Sequence, residues 1–351
     1  MPEVTTTTSP QSREERLDLT IVQALREAIR EEMVSDENVF VLGEDIRIGG
    51  SFLFTLGLLD EFGPERVINT PISEAGFVGL AIGAAMQGMR PVVDFQYGDF
   101  LFTAWDQIVQ QGSKLRYMSG GQVSIPMVLQ MPTGASGRGA QHANSMEGYL
   151  FNIPGIKLIT PATAYDAKGL FKSAVRDNNI VAFCVHKHLY GSKGRQLVQS
   201  KISTGAVPAE EYTIPIGKGD IKRQGSDVTV VANLLMLHYA LNVAEELAGE
   251  GISVEVVDPR TLVPFDIDLV VESVKKTGRL VIVEETTLRG GWGGYVAGEV
   301  ASRAIAYLDG PIQRIATPDV PIPFSPVLER AIIPDQERIR KTILELLGDS
   351  F

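Results

Sequence analysis

The chain has 351 residues, 44% of them hydrophobic and 35 of them glycine, a content suited to about two packed α/β domains. A formal net charge of -11 and an isoelectric point near 5.0 argue against nucleic acid and anionic membrane as partners, because both call for clustered Lys and Arg. The only cysteine, Cys184, leaves no intramolecular disulfide framework and no thiolate metal cluster, which fits a reducing compartment.

Along the chain, the opening MPEVTTTTSPQSREER lacks the apolar core of a secretion signal, and no apolar run approaches membrane-spanning length. A cytoplasmic location is expected, with about the first sixteen residues flexible. Order begins near Thr20, where Thr20 and Gln23 have capping-box spacing and Ile21, Leu25, Ala28 and Ile29 repeat at helical intervals. Short apolar runs then alternate with helical patterns: VFVLG, RVINT, the helix opened by Glu74, RPVVDFQ, FTAWDQIVQQGSKLRYM, IPMVLQMP, KLITP, the helix YDAKGLFKSAVRD and IVAFCVHK. That alternation predicts βα units feeding a largely parallel sheet over 17–195. Residues 196–225 are polar and turn-rich and read as a linker or strand-poor crossing. A second α/β rhythm over 226–351, through DVTVVAN, ALNVAEELAGE, SVEVVDP, DLVVESVKKTG, RLVIVEE and YVAGEVASRAI, predicts a smaller sheet domain.

Absent motifs narrow the function. No GxGxxG follows a strand, no GxxxxGK[ST] occurs, and GASGR misses GxSxG at its last residue, so dinucleotide, nucleotide and serine-hydrolase readings lose their usual support. His186 and His188 share one face of a predicted strand without a third ligand nearby, which reads as two polar strand-end histidines rather than a metal site. In NTPISEAGFVGLAIGAAMQG, the single acid Glu74 stands in an uncharged run, where a carboxylate must be solvated, paired or protonated. Gly76, Gly79 and Gly83 leave one helical stripe bare for a close helix or ligand, at a cost of order 1 kcal/mol each against alanine. By physics alone, Glu74 fits a working carboxyl or an acid favoured by a helix N-terminus equally well. DFQYGDF places Phe95, Tyr97 and Phe100 where a strand ends and a loop begins, GASGRGAQHANS places His142 in a glycine-rich polar loop, and GED places Glu44 and Asp45 at a strand end. Each of these has a bland counterpart as core aromatic, solvated histidine or surface charge.

Taken together, LGEDI, TPISEAGFVGLAIGAAMQGMRPV, DQIVQQGSKLRYMSGG, GAQH, PGIKLITPATAYDAKGLFKSAVRDNN, VVDPRTLVPFD, VIVEE and DVPIPF resemble the β subunits of the decarboxylating component of 2-oxo acid dehydrogenase complexes, the thiamine-diphosphate family of pyruvate, branched-chain and acetoin dehydrogenases. The likeness covers nearly everything after about residue 17. It implies a transketolase-type pyrimidine-binding domain followed by a domain like the C-terminal one of transketolase. It places the family's activating glutamate at Glu74, which shares a proton with the pyrimidine ring nitrogen, and its active-site histidine at His142, a proton handler or guide for the lipoyl acceptor. Tyr97 matches an aromatic lying against the pyrimidine, with Phe95 and Phe100 as neighbours, and Glu44 an acid on the path between two active sites. Asp177 and Asn179, in RDNN, resemble a loop holding a structural potassium ion through backbone oxygens.

Three positions depart from the family: Ala143 and Asn144 replace the frequent Ser-Gln after the histidine, and Val185 replaces an acid before HK. Enzymes of this cofactor class also hold the diphosphate through Mg²⁺ with a GDG motif and a later Asn, and no GDG occurs here. The resemblance therefore implies half a site, completed by an α subunit in an α2β2 tetramer that decarboxylates a 2-oxo acid and acylates a lipoyl domain. Alternatives are a split transketolase-like enzyme passing its carbanion to an aldehyde, an acetoin-cleaving dehydrogenase, and a non-catalytic assembly subunit.

Overall fold

The computed structural model describes residues 16–193 and 196–348. The expectation of a flexible N-terminus falls on residues outside that range, apart from Arg16, which begins the first strand. After β1 (Arg16–Thr20), Thr20 caps α1 (Ile21–Ser35): its hydroxyl accepts from Gln23 N–H while the Gln23 amide oxygen accepts from Thr20 N–H, the reciprocal pair that the spacing predicts. The chain continues through β2 (Val39–Gly43), α2 (Leu58–Phe62), β3 (Val67–Asn69), α3 (Glu74–Met86) and β4 (Arg90–Asp94). The run FTAWDQIVQQGSKLRYM forms 3-10 turns, a π-helical segment over Asp106–Gly112 and the short α4 (Leu115–Met118) instead of one continuous helix. Then come β5 (Val128–Thr133), α5 (Met146–Leu150), β6 (Lys157–Ile159), α6 (Ala164–Arg176) and β7 (Val181–His186).

Residues 196–225, read from sequence as strand-poor, contain strands. β8 (Ser192–Lys193) pairs with β9 (Gln196–Leu197), β10 (Thr204–Pro208) runs antiparallel to β1, and β11 (Asp220–Arg223) enters the second sheet. The rest comprises β12 (Val228–Ala232), α7 (Leu234–Ala248), β13 (Val254–Asp258), β14 (Thr261–Val263), α8 (Ile267–Thr277), β15 (Leu280–Thr287), α9 (Gly293–Ala304), β16 (Gln313–Thr317), α10 (Pro326–Ile332) and α11 (Gln336–Gly348).

Two mostly parallel sheets result, as the alternation of apolar runs and helices requires. The first has the order β14-β6-β7-β5-β4-β2-β3, parallel except for β14, and the second β11-β13-β12-β15-β16, parallel except for β11. The central strands β2, β5 and β7 are buried along their whole length, which explains why they read as continuous rather than alternating apolar runs. α3 lays Phe77, Val78, Ala81, Ile82 and Ala85 into the core and leaves Gly76, Gly79 and Gly83 on its outer side. The two sheets are joined across their boundary. An apolar core contains residues of both, Asp166 of α6 pairs with Arg260 at 2.6 Å and with Lys222 at 2.5 Å, and His238 Nε2 donates to Ala162 O at 2.7 Å. No helix among the described residues is long and apolar enough to cross a membrane.

Candidate active site

In a parallel α/β sheet, the crevice beyond the carboxyl ends of the strands is where functional side chains collect. Three acids do so here. Glu44 follows β2, Asp94 ends β4, and Glu74 opens α3 just after β3. Gly43 permits the convergence, because a Cβ there would lie 2.4 Å from Asp94 O. Glu74 is only 8% exposed, and its carboxyl faces that of Glu44. Burial, and then the charge of Glu74, push Glu44 up to about 7. Burial pushes Asp94 up to about 8, against the stabilising hydrogen bond that Gln96 Nε2 donates to Asp94 Oδ2 at 2.8 Å. Facing a like charge in a half-buried setting, Glu44 keeps its proton to a higher pH than an ordinary glutamate. Glu44 Oε1 is buried with no donor among the described residues, so the pair retains an acceptor turned inward.

Beyond the acids, the segment after β4 carries Tyr97 and Phe100. The His142 ring, in a 3-10 turn over Ala140–His142, meets both edge-on, with centroids 5.4 Å from Tyr97 and 5.5 Å from Phe100. Phe52 also packs edge-on with Tyr97, at 5.9 Å. The His142 ring makes no hydrogen bond among the described residues, so both nitrogens remain available to a reactant. A cavity of about 630 Å³ opens here, lined by Phe52, Tyr97, Arg138, Lys187 and His188 among others.

The loop that carries His142 is held from several directions. Ala135 N–H donates to Glu285 Oε1 at 2.6 Å, and Gly137 N–H lies 2.9 and 3.0 Å from the two oxygens of Glu329, both acids coming from the second sheet domain. Gly134 is required: its φ is +85° and a Cβ would lie 2.2 Å from His186 Cδ2. His186 is buried at the end of β7 and donates through Nε2 to Glu285 Oε2 at 2.9 Å, while its Nδ1 accepts from His188 N–H at 3.1 Å. His186 is therefore the Nε2–H tautomer, bonded across to the second sheet domain, with the His188 ring stacked beside it. Burial pushes the Glu285 carboxyl up, but the hydrogen bonds from His186 and Ala135 N–H and the nearby Lys187 ammonium together hold it below its ordinary value.

The structure brings Glu74, Glu44, Tyr97, Phe100 and His142 to one sheet edge. Phe95 is not among them: β4 ends at Asp94, and the Phe95 ring is 1% exposed and packs on Phe77 at 5.9 Å inside the core. Asp177 and Asn179 also lie elsewhere, between the end of α6 and the amino end of β7, on the opposite edge of the parallel sheet. There Asp177 Oδ1 accepts from Asn179 N and Nδ2, Arg90 donates to the carbonyls of Val175 and Asp177 at 2.9 and 3.1 Å, and Lys157 pairs with the Asp177 carboxylate. Of the departures from the family pattern, Asn144 has a clear job, donating from N and Nδ2 to Asp99 Oδ1 at 2.9 and 2.6 Å, while Val185 is buried in β7 opposite Pro132. Asp94, Asp99, Lys187 and Glu285 escape a reading by motif. The available signals were an acid ending an apolar strand and a lysine closing IVAFCVH.

A facing carboxyl pair at the edge of a parallel sheet, with an aromatic and histidine cluster beside it and a second α/β unit holding the loop, fits a two-domain enzyme of the transketolase type. Residues 18–193 match the family model "Transketolase, pyrimidine binding domain" and residues 217–339 match "Transketolase, C-terminal domain". The chain belongs to this transketolase family, in the group of β subunits of 2-oxo acid dehydrogenase components. It is 41% identical to the 2-oxoisovalerate dehydrogenase subunit beta of Bacillus subtilis (strain 168), over 93% of this chain and 98% of that protein. It is also 41% identical to the acetoin:2,6-dichlorophenolindophenol oxidoreductase subunit beta of the same organism, over 94% of this chain and 98% of that protein. A solved split-gene transketolase, in an inactive β4 tetramer, superposes with a TM-score of 0.74 at 25% identity, covering 95% of this chain and 99% of that one. The family read from the sequence motifs is thereby borne out.

Proposed function

We propose that the chain is the β subunit of a 2-oxo acid dehydrogenase decarboxylating component. With an α subunit in an α2β2 tetramer it carries out thiamine-diphosphate-dependent oxidative decarboxylation of a 2-oxo acid and acylates a lipoyl domain. The observation that carries this is the facing Glu44–Glu74 pair, Glu74 buried and Glu44 half-buried with one buried, undonated oxygen, which suits a ligand bringing N–H donors and a basic ring nitrogen to the sheet edge, as an aminopyrimidine does. When bound, the cofactor supplies an electron sink for the carbanion left by decarboxylation. Glu74 holds the proton shared with the pyrimidine ring nitrogen, Glu44 faces it with its own carboxyl raised to about 7, and Tyr97 covers the ring. His142, with free nitrogens, handles the proton of the acyl transfer or guides the lipoyl group. Mg²⁺ and the diphosphate fall to the α subunit, since this sequence has no GDG.

Equal identity to a branched-chain and an acetoin relative leaves the acyl group open, and an acetoin-cleaving activity is the second reading that this supports. The test is the purified α and β pair, assayed against a panel of 2-oxo acids and acetoin with an artificial electron acceptor. Turnover with none of them, and transfer to an aldehyde instead, would favour the split transketolase alternative.

A potassium ion on the Asp177–Asn179 loop would share the Asp177 carbonyl with Arg90. Because Arg90 and Lys157 already supply positive charge there, replacing potassium by tetramethylammonium is expected to leave the melting temperature unchanged. A marked drop, reversed by potassium alone, would establish the ion.

A further inference from the structure

Lys187 has no place in the reaction as set out above, yet it stands at the centre of the loop that presents His142. It is 5% exposed. Its Nζ donates to Gly134 O at 2.9 Å and to His142 O at 2.8 Å, lies 3.3 Å from Asp99 Oδ2, and sits 5.3 Å from the centroid of the Tyr97 ring. Burying an ammonium costs several kcal/mol unless its donors are met, and here three oxygens and an aromatic face meet them. Burial still lowers its pKa below the ordinary lysine value, with Asp99 opposing the shift.

An apolar side chain would close the end of β7 without that desolvation, so the charge is explained by what it orders. Gly134 and His142 bracket the glycine-rich loop, and both hand their carbonyls to the same ammonium. Asp99, its counter-ion, lies two residues after Tyr97 and accepts from Asn144 N and Nδ2 just beyond His142. The two ends of the loop, the end of β7 and the segment holding Tyr97 are thereby tied through one cation. The product of those ties is the edge-on packing of His142 on Tyr97 and Phe100.

We propose that Lys187 is a positioning residue for His142, the buried ammonium fixing the imidazole against Tyr97 so that it meets the incoming acceptor in a single orientation. The inference rests on the role given to His142 above. Misplacing a working group by about 1 Å can lower a rate on the order of 10²-fold. A lysine that merely stabilised the fold would weaken the enzyme independently of His142.

The reconstituted α and β pair separates these cases through a double-mutant cycle of Lys187→Met and His142→Ala. Decarboxylation is read with an artificial acceptor and acyl transfer with a lipoyl domain. Each single change is expected to slow acyl transfer more than decarboxylation, and the double change is expected to fall no further than His142→Ala alone, the strong coupling expected of residues acting as one unit. Losses that multiply would overturn the proposal. A His142→Ala enzyme with normal acyl transfer is a different failure, since it removes the role of His142 itself. If Lys187→Met does not fold by circular dichroism, the same cycle is run with Asn144→Ala, which removes the side-chain bond to Asp99, keeps the backbone one and leaves the ammonium in place; there too coupling supports the clamp and independence overturns it.

Discussion

A Glu74→Gln enzyme, reconstituted with its α partner, is expected to turn over on the order of 10²–10⁴-fold more slowly than the parent, the usual range for loss of one general acid–base group. Its circular dichroism and melting temperature should match the parent's. The amide has nearly the volume of the carboxyl, so the end of α3 keeps its packing, but it has no proton to exchange with a ring nitrogen. The change also gives Glu44 a neighbour that donates in place of one that repels. Glu44 is held near 7 by burial and the facing carboxyl, so in this variant it should titrate lower and the pocket should be no less stable. A normal rate in the variant would remove Glu74 from the mechanism, whereas a lost fold would leave the rate uninterpretable and call for Glu74→Asp.

The second large effect is expected of the chain alone. Without the α subunit it should bind thiamine diphosphate only weakly in the presence of Mg²⁺, since charge-assisted contacts to the diphosphate supply much of the affinity for such a cofactor and no motif for them occurs here. The outer side of α3 points the same way. A Cβ at Gly83 would meet nothing within 4 Å and one at Gly79 only Gln107 Cγ at 3.8 Å, so this chain's own packing does not require glycine there. Beside the stripe, Ile72 and Leu80 are exposed. Such a bare, apolar face suits a partner's close approach and makes the free chain prone to self-association. Titration calorimetry on the chain, then on the α and β mixture, decides the matter. Micromolar or tighter Mg²⁺-dependent binding by the chain without its partner would overturn the half-site reading.

Much of this was legible in the sequence because local rules agreed with one another. The capping box at Thr20, the helical period of α1 and the continuous apolar runs of β5 and β7 each named an element that tertiary packing then kept. Glu74 stood out because a charge in an uncharged run demands a reason. What escaped was long-range pairing. Lys187 and Asp99 are 88 positions apart and His186 and Glu285 are 99 apart, so neither partner marks the other along the chain. Phe95 misled for the opposite reason, since it neighbours Tyr97 in sequence while the strand's end turns its ring into the core. The strands within 196–225 were hidden by polar composition, because β10 and β11 lie at sheet edges, where half-exposed positions tolerate polar residues.

The antiparallel β14 has a bearing on how the molecule is made. It belongs to the second half of the chain, yet it covers the free edge of β6 in the first sheet. A ribosome therefore releases β6 long before the strand that will protect it. At about 5–20 residues per second, that edge stays open for several seconds, its backbone donors and acceptors unpaired. During that interval a nascent neighbour on the same message presents an identical strand, and the subunit's exposure to wrong pairing is greatest while its future site is already half assembled.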